Sequence, residues 1–480
     1  MEAKREFITG LFWASSGSIL AKLIDFITLI VLARLLDPTA FGLVAIALLV
    51  TNGLGLFSDL GLGAAIIQKR ETTDADNNTV FITTPILNIF VYAIAYLMAK
   101  PAGVFFNNEA VVSIIKVLSL VLIIQSLGTV PSALLQKGLK YKSLLVVDIA
   151  ASVVYLIVAV GLAYGGKGVW SIVIGQLVRY STHMVALWFA SGWSPRWDFQ
   201  KDSFGSLYSF GKHIVLLSVI SFVLKNLDNA VIGKFLTLGD LGLYTMAYTV
   251  GANILPQFVK MTIGKIAFPI YSLWNEDQSN FKRRFILINR LNLIFCIWAT
   301  LILITTSSIF VPLFLGEKWI GIITLIQFLA FFGFQRGIAS VVAPALNATG
   351  VPQAQREPML LNSLIFVPLV IPAAKLFGVK GVALLATISI IPGFIWTIQR
   401  AFKLLGLQEE LSRFFYPVLL GGLSLIVWIF LKPYISNLPF WNLTASLFLV
   451  SIIFLGVMWI LEKELFKQIY RIRGFIRDVV

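Results

Sequence analysis

The sequence predicts an all-α polytopic membrane protein with about fourteen transmembrane helices. Hydrophobic residues make up 58% of the chain and charged residues only 13%, whereas soluble domains are about 45 to 50% apolar. The mean hydropathy is +0.89. About fourteen apolar stretches each approach the roughly 20 residues that a helix needs to cross a bilayer. Together they fill most of the 480 residues, which leaves no room for a soluble catalytic domain.

Apolar length, turn residues and charge breaks place these helices in chain order. The predicted helices cover residues 10–33, 41–67, 79–99, 111–135, 144–164, 169–190, 208–233, 241–270, 285–311, 319–345, 359–377, 381–402, 414–431 and 441–461. The first stretch is too long for the core of a signal peptide and contains Lys22 and Asp25. We therefore expect it to be retained as a membrane helix.

Cysteine and histidine are too scarce for a disulfide or a metal site. The single cysteine, Cys296, falls inside a predicted helix, and the two histidines, His183 and His213, form no Cys/His cluster. An intrachain disulfide needs two cysteines, and zinc sites usually need several Cys or His ligands. The sequence predicts no metal and no cofactor.

Basic residues in the connections predict that both termini are cytoplasmic. With that orientation the inner connections and the tail hold Lys4, Arg5, Lys69, Arg70, Lys137, Lys140, Lys142, Arg196, Lys201, Lys282, Arg283, Arg284, Arg400, Lys403, Arg471, Arg473 and Arg477. The outer connections hold far fewer, as the positive-inside rule requires. The net charge of +15 is then explained by topology and anionic lipids, and not by nucleic acid.

An internal repeat predicts two pseudo-symmetric six-helix lobes. Shifting the chain by 200 positions aligns RLLDPTAFGL at residues 34–43 with KFLTLGDLGL at residues 234–243. We expect a lobe at residues 1–200, a second at 201–405, and two accessory helices with a basic cytoplasmic tail at 406–480. Six helices per lobe give both lobes one orientation, and such transporters move substrate between the two halves by alternating access.

Several segments resemble Wzx-type polysaccharide exporters, particularly their colanic-acid and teichuronic-acid branch. They are ARLLDPTAFGL at residues 33–43, FSDLGLGAAIIQKR at 57–70, NLDNAVIGKFL at 226–236, GLYTMAY at 242–248 and FPIY at 268–271. The resemblance implies membership of the multidrug/oligosaccharidyl-lipid/polysaccharide exporter superfamily. It also implies a flippase of the bacterial inner membrane that moves undecaprenyl-pyrophosphate-linked oligosaccharides from the cytoplasmic to the outer leaflet. Membrane lipids and the polysaccharide polymerase with its chain-length machinery are its implied partners.

Lys and Arg residues inside the predicted helices are the candidate substrate-binding residues: Lys22, Arg179, Lys225, Lys260, Arg290 and Arg336. A cation at the bilayer centre costs about 2.5 to 3.5 kcal/mol on insertion scales, so it normally faces a bundle interior or water. Such cations suit a pyrophosphate head group. The alternative is that some of them reach the membrane interface or pair with a carboxylate.

Each lobe's first helix carries a Lys-x-x-Asp pattern, Lys22 with Asp25 and Lys225 with Asp228. Residues three apart share a helix face, so each pair can form an internal salt bridge. In a second hypothesis, Asp25 or Asp228 takes up a proton or sodium ion and releases its lysine to the substrate. The carboxylates are therefore candidate ion-coupling residues.

Other functions remain as alternatives at this point. A peptidoglycan-precursor flippase has a similar cargo, and a multidrug exporter belongs to the same superfamily. A membrane polysaccharide polymerase or glycosyltransferase is less favoured because every predicted outer connection is short. The sequence predicts a secondary transporter and not an enzyme.

Overall fold

Helices account for the regular structure along the described part of the chain. A computed structural model describes residues 2–69, 71–264, 278–348 and 356–431, with residues 267, 271, 448, 451, 452, 454 and 456. The all-α prediction is confirmed for these residues. The chain divides into two compact units, Met1–Thr245 and Met246–Val480. The repeat boundaries expected at residues 200 and 405 stay a prediction.

The first unit is built from helices α1 to α10 and most of α11. Their bounds are α1 Glu2–Leu35, α2 Pro38–Gly55, α3 Leu62–Gln68, α4 Asp74–Phe105, α5 Ala110–Leu118, α6 Leu120–Ser126, α7 Thr129–Lys137, α8 Tyr141–Tyr164, α9 Val169–Ser191, α10 Lys201–Phe235 and α11 Leu238–Ala247. Pro38 takes the first position of α2, where its missing N–H and fixed φ suit a helix start.

Two helices predicted as continuous are broken in the first unit. The helix predicted at 41–67 is α2 and α3, because Leu60 and Gly61 adopt positive φ values of 51° and 75°. The Asp59 side chain accepts a hydrogen bond from the Gly61 N–H at 2.8 Å and stabilises that turn. The helix predicted at 111–135 consists of α5, α6 and α7, with a 47° bend between Ala110–Ser126 and Thr129–Lys137.

The start of α4 is fixed by a polar network. Thr73 and Asp76 form a capping box, in which each side chain satisfies an N–H that the first turn leaves unpaired. Lys69 donates to Asp76 Oδ2 at 2.7 Å. Lys137, at the end of α7, donates to the Lys69 carbonyl and the Thr72 hydroxyl at 2.7 and 2.9 Å. These bonds hold the ends of α3, α4 and α7 together.

The second unit contains α12 to α16. The bounds are a π-helix Tyr248–Asn253, α12 Ile254–Met261, α13 Gln278–Phe310, a π-helix Val311–Leu315, α14 Ile322–Ala348, α15 Arg356–Leu404 and α16 Leu411–Leu431. Two predicted helices merge in α15, which bends at Gly378 with φ 60° and ψ −153°. The predicted helix at 441–461 lies mostly outside the described residues.

The core of the second unit surrounds α13. Cys296 of α13 is fully buried, and its thiol lies 3.5 Å from the Asn292 side-chain oxygen. Gly337 of α14 faces this thiol, because a Cβ at Gly337 would lie 3.0 Å from the sulfur. Close packing between α13 and α14 therefore leaves the only cysteine of the sequence inaccessible.

Six described helices are long and apolar enough to cross a membrane, or seven if the bent pair in residues 110–137 counts as one span. This finding supports an integral membrane protein. The predicted count of fourteen spans is not confirmed and stays a prediction.

The two segments aligned by the repeat contact each other reciprocally within the first unit. A Cβ at Gly42 would lie 2.9 Å from the Leu238 carbonyl carbon, and a Cβ at Gly242 would lie 2.6 Å from the Pro38 carbonyl carbon. Residues 38 and 238 are related by the same 200-position shift as 42 and 242. Such mutual pairing is the pattern of an isologous contact, in which one patch meets its equivalent.

Candidate substrate-binding site

Three of the predicted charged residues meet in the first unit, where Asp25 contacts two cations. Arg179 Nη2 lies 3.0 Å from Asp25 Oδ2, and Lys22 Nζ lies 3.5 Å from the same oxygen. The predicted Lys22–Asp25 pair is therefore present. Arg179 joins it from a helix 154 positions further along the chain. We call Lys22, Asp25 and Arg179 the cationic cluster.

The packing of α8 against α1 and α9 positions the cationic cluster. Ser152 and Tyr155 lie three positions apart on one face of α8. Arg179 Nη2 donates to Ser152 Oγ at 3.4 Å, and its guanidinium lies 5.4 Å from the centre of the Tyr155 ring. Gly175, one turn before Arg179, permits the close approach, because a Cβ there would lie 2.8 Å from Ala159.

The cationic cluster carries a net charge of +1 and remains accessible. The exposed fractions are 53% for the Lys22 side chain, 25% for Arg179 and 20% for Asp25. The described hydrogen bonds of Arg179 use only its Nη2, whereas a guanidinium has five N–H donors. An anion can therefore bind Arg179 and Lys22 beside Asp25. It can also replace the Asp25 carboxylate as the partner of these two cations.

The second Lys-x-x-Asp pattern is arranged differently. Asp228 is buried, and its Oδ2 accepts a hydrogen bond from the Tyr244 hydroxyl at 2.7 Å. Lys225 is exposed on α10. No salt bridge joins these two described residues. The salt-bridge interpretation is wrong for this pair, because Tyr244 of α11 reaches the carboxylate instead.

The predicted cations of the second unit occupy three different environments. Arg336 Nη1 donates to Asn253 Oδ1 at 3.0 Å and to the Tyr248 hydroxyl at 3.3 Å. These bonds tie α14 to the π-helix Tyr248–Asn253, so Arg336 has a structural role there. Lys260 is exposed in the last turn of α12, and Arg290 is half-buried on α13.

Sequence reasoning missed a second polar contact on the same helix faces. His183 Nε2 lies 3.3 Å from Asp148 Oδ1. Asp148 precedes Ser152 by four positions on α8, and His183 follows Arg179 by four positions on α9. The sequence signal for this contact was the spacing of four positions between polar residues within apolar helices, which places them on one helix face. Among the described residues, no group of three or more His, Cys, Asp or Glu side chains could hold a metal ion.

Comparison with known proteins relates the chain to polysaccharide biosynthesis. A family model described as "Polysaccharide biosynthesis protein" matches residues 31–324. The lipopolysaccharide biosynthesis protein WzxC of Escherichia coli (strain K12) is 25% identical over 386 residues, which cover 80% of this chain and 78% of WzxC. The teichuronic acid biosynthesis protein TuaB of Bacillus subtilis (strain 168) is 23% identical over 351 residues, 72% of each protein.

Solved structures show that the fold is that of membrane transporters. The lipid II flippase MurJ in an inward closed conformation matches with a TM-score of 0.74 and 16% identity, covering 93% of this chain and all of MurJ. An inward-facing multidrug resistance MATE family transporter of the MOP superfamily matches with a TM-score of 0.64 and 13% identity. This match covers 80% of this chain and 95% of the transporter.

Proposed function

The chain belongs to the polysaccharide biosynthesis protein family, and from this premise we propose that it is a flippase for lipid-linked oligosaccharides. The family resemblance predicted from the sequence and the transporter class are confirmed. The proposed cargo is an undecaprenyl-pyrophosphate-linked repeat unit. The protein moves it from the cytoplasmic to the outer leaflet of a bacterial inner membrane by alternating access. Fourteen spans, two six-helix lobes and cytoplasmic termini belong to the proposal.

The cationic cluster is the observation that supports this cargo. A pyrophosphate cannot enter hydrocarbon without groups that replace its water, and guanidinium and ammonium groups provide charge-assisted hydrogen bonds. Arg179 is held by Asp25 and Ser152, which fixes its guanidinium before the substrate arrives. Lys22 adds a more mobile charge. Lys225, Lys260, Arg290 and Arg336 remain proposed contacts for later stages of the same path.

Ion coupling is proposed at Asp25. Protonation of its carboxyl group removes the charge that holds Lys22 and Arg179, so both cations become available to the pyrophosphate. Deprotonation restores the salt bridges and favours release. The membrane potential acts in the same direction, because moving one negative charge outward gains about 2.3 kcal/mol per 100 mV when the cytoplasm is negative. Asp228 remains a second proposed coupling residue.

The test is a leaflet assay with purified protein in proteoliposomes. The probes are undecaprenyl-pyrophosphate-linked oligosaccharide and, in a second arm, lipid II. Arg179→Gln is expected to weaken head-group binding roughly 10- to 150-fold, since a hydrogen bond to a charged group contributes about 1.5 to 3 kcal/mol. Lys22→Gln should weaken it about 1.5- to fivefold, as expected for an exposed ion pair.

Lys116→Gln is the matched control, because Lys116 lies over the Tyr96 ring at 4.1 Å and outside the cationic cluster. Its transport rate should equal that of the wild type. In cells, Ala or Gln replacements at Lys22, Arg179 and Lys225 should each reduce polymer export at normal membrane abundance, most strongly at Arg179. Full export by all three variants contradicts the proposed anion path. Faster transport of lipid II than of the oligosaccharide identifies a peptidoglycan-precursor flippase instead.

A further inference from the structure

A cavity of about 190 Å³ lies in the first unit between α2, α5, α6 and α9. Leucine, valine and glycine residues form most of its lining. Four polar side chains complete the wall, namely Thr51, Asn52, Gln125 and Tyr180. None of the described residues that line this cavity is charged.

The two amide side chains among them have no described hydrogen-bond partner. Thr51 bonds the Ser119 hydroxyl at 3.1 Å, whereas the amides of Asn52 and Gln125 are exposed and make no hydrogen bond within the described part of the chain. Both lie in apolar segments of helix that we treat as membrane-embedded. An unsatisfied polar group is costly in hydrocarbon, so these amides need water or a ligand.

One residue that lines the cavity directly follows a residue of the cationic cluster in the sequence. Tyr180 follows Arg179 directly on α9, and both side chains interact electrostatically with Tyr155 of α8, which therefore lies between the cavity and the cluster. A ligand with an anionic group and an adjoining polar, uncharged ring would engage both sites. This order of groups matches a pyrophosphate followed by its first sugar.

We propose that this cavity binds the sugar that is attached directly to the pyrophosphate, and that this sugar is uncharged. The inference rests on the proposed function. Amides donate and accept hydrogen bonds, as sugar hydroxyls require, while the leucines and the Tyr180 ring pack against the C–H faces of the ring. The volume is below the roughly 300 to 1,000 Å³ of drug-sized pockets, which fits a single sugar ring in the cavity with the rest of the oligosaccharide outside it. The absence of charged lining residues disfavours a uronic acid at this position.

The experiment compares the binding of two probes to purified full-length protein. One probe is undecaprenyl pyrophosphate, and the other is the lipid-linked oligosaccharide extracted from host cells that lack this protein. Asn52→Ala and Gln125→Ala should each weaken binding of the oligosaccharide about two- to tenfold, the effect of one net hydrogen bond. Binding of undecaprenyl pyrophosphate should stay within twofold of the wild-type value.

Gln136→Ala is the matched control, because Gln136 is an exposed amide on α7 outside the cavity. If a variant does not accumulate, Gln125→Met is used in the same binding assay instead, because it retains the side-chain volume. Equal loss for both probes, or no loss for either, overturns the sugar site while the flippase proposal stands. Failure of the wild-type protein to bind either probe overturns both proposals.

Discussion

Substitution of Gly42 by alanine tests the reciprocal contact between the aligned segments. The added Cβ would lie 2.9 Å from the Leu238 carbonyl carbon and closer still to its oxygen. Carbon atoms pack favourably at about 3.5 to 4.0 Å, so the two backbones must separate by at least roughly 0.6 to 1.1 Å, and the nearer carbonyl oxygen requires more. Backbone atoms cannot rotate away as a side chain would, and the separation must involve α2 and α11 as a whole.

Overpacking of this kind typically costs about 1 to 3 kcal/mol. At about 2 to 4 °C per kcal/mol for a unit of 150 to 250 residues, the unfolding midpoint should fall by roughly 2 to 12 °C. Thermal unfolding in detergent, followed by tryptophan fluorescence, measures the change. Gly161→Ala is the control, because Gly161 lies in α8 with nothing within 4 Å of a Cβ, and alanine is the better helix former.

The double variant Gly42→Ala/Gly242→Ala sharpens the test. Both substitutions widen the same crossing, so the second should add less than its individual cost, as expected for residues in contact. Strict additivity would show that the two positions do not share a contact. An unchanged midpoint for Gly42→Ala, equal to that of Gly161→Ala, refutes the close packing.

Three further predictions concern the charged residues. Asp25→Asn raises the net charge of the cationic cluster to +2, so undecaprenyl pyrophosphate should bind about 1.5- to fivefold more tightly in a direct binding assay, with slower turnover. Arg336→Gln should lower the free energy of unfolding by about 1 to 3 kcal/mol, since it removes the hydrogen bonds from Arg336 to Asn253 and Tyr248; an unchanged unfolding midpoint would contradict the structural role. Tyr244→Phe should destabilise the protein by about 1.5 to 3 kcal/mol, because Oδ2 of the buried Asp228 loses the hydroxyl donor of Tyr244, whereas Lys225→Gln should leave unfolding unchanged.

Apolar length predicted most of the described helices, because the bilayer sets the length of a helix and excludes polar residues from its interior. The interruptions were not predictable in the same way. The break at Leu60 and Gly61 depends on the local bond from Gly61 to Asp59. The bend at Gly378 lies within one apolar region whose composition continues on both sides.

The candidate site was predictable only where its contacts are local. Lys22 and Asp25 are three positions apart on one helix, so their spacing alone indicated the pair. Arg179 reaches Asp25 through the packing of α1, α8 and α9, and no sequence spacing encodes that contact. Asp228 shows the limit of the spacing rule, because a tyrosine from the next helix competes for its carboxylate.

The burial of Cys296 makes the native chain suitable for thiol labelling. Its sulfur is enclosed by α13 and α14, so a water-soluble maleimide cannot reach it in the folded protein. Cysteines introduced at Lys116 or Gln136 would then react without a background signal from the native thiol. Reagents added from either side of sealed vesicles would report which membrane face each helix end occupies, with the wild-type sequence otherwise intact.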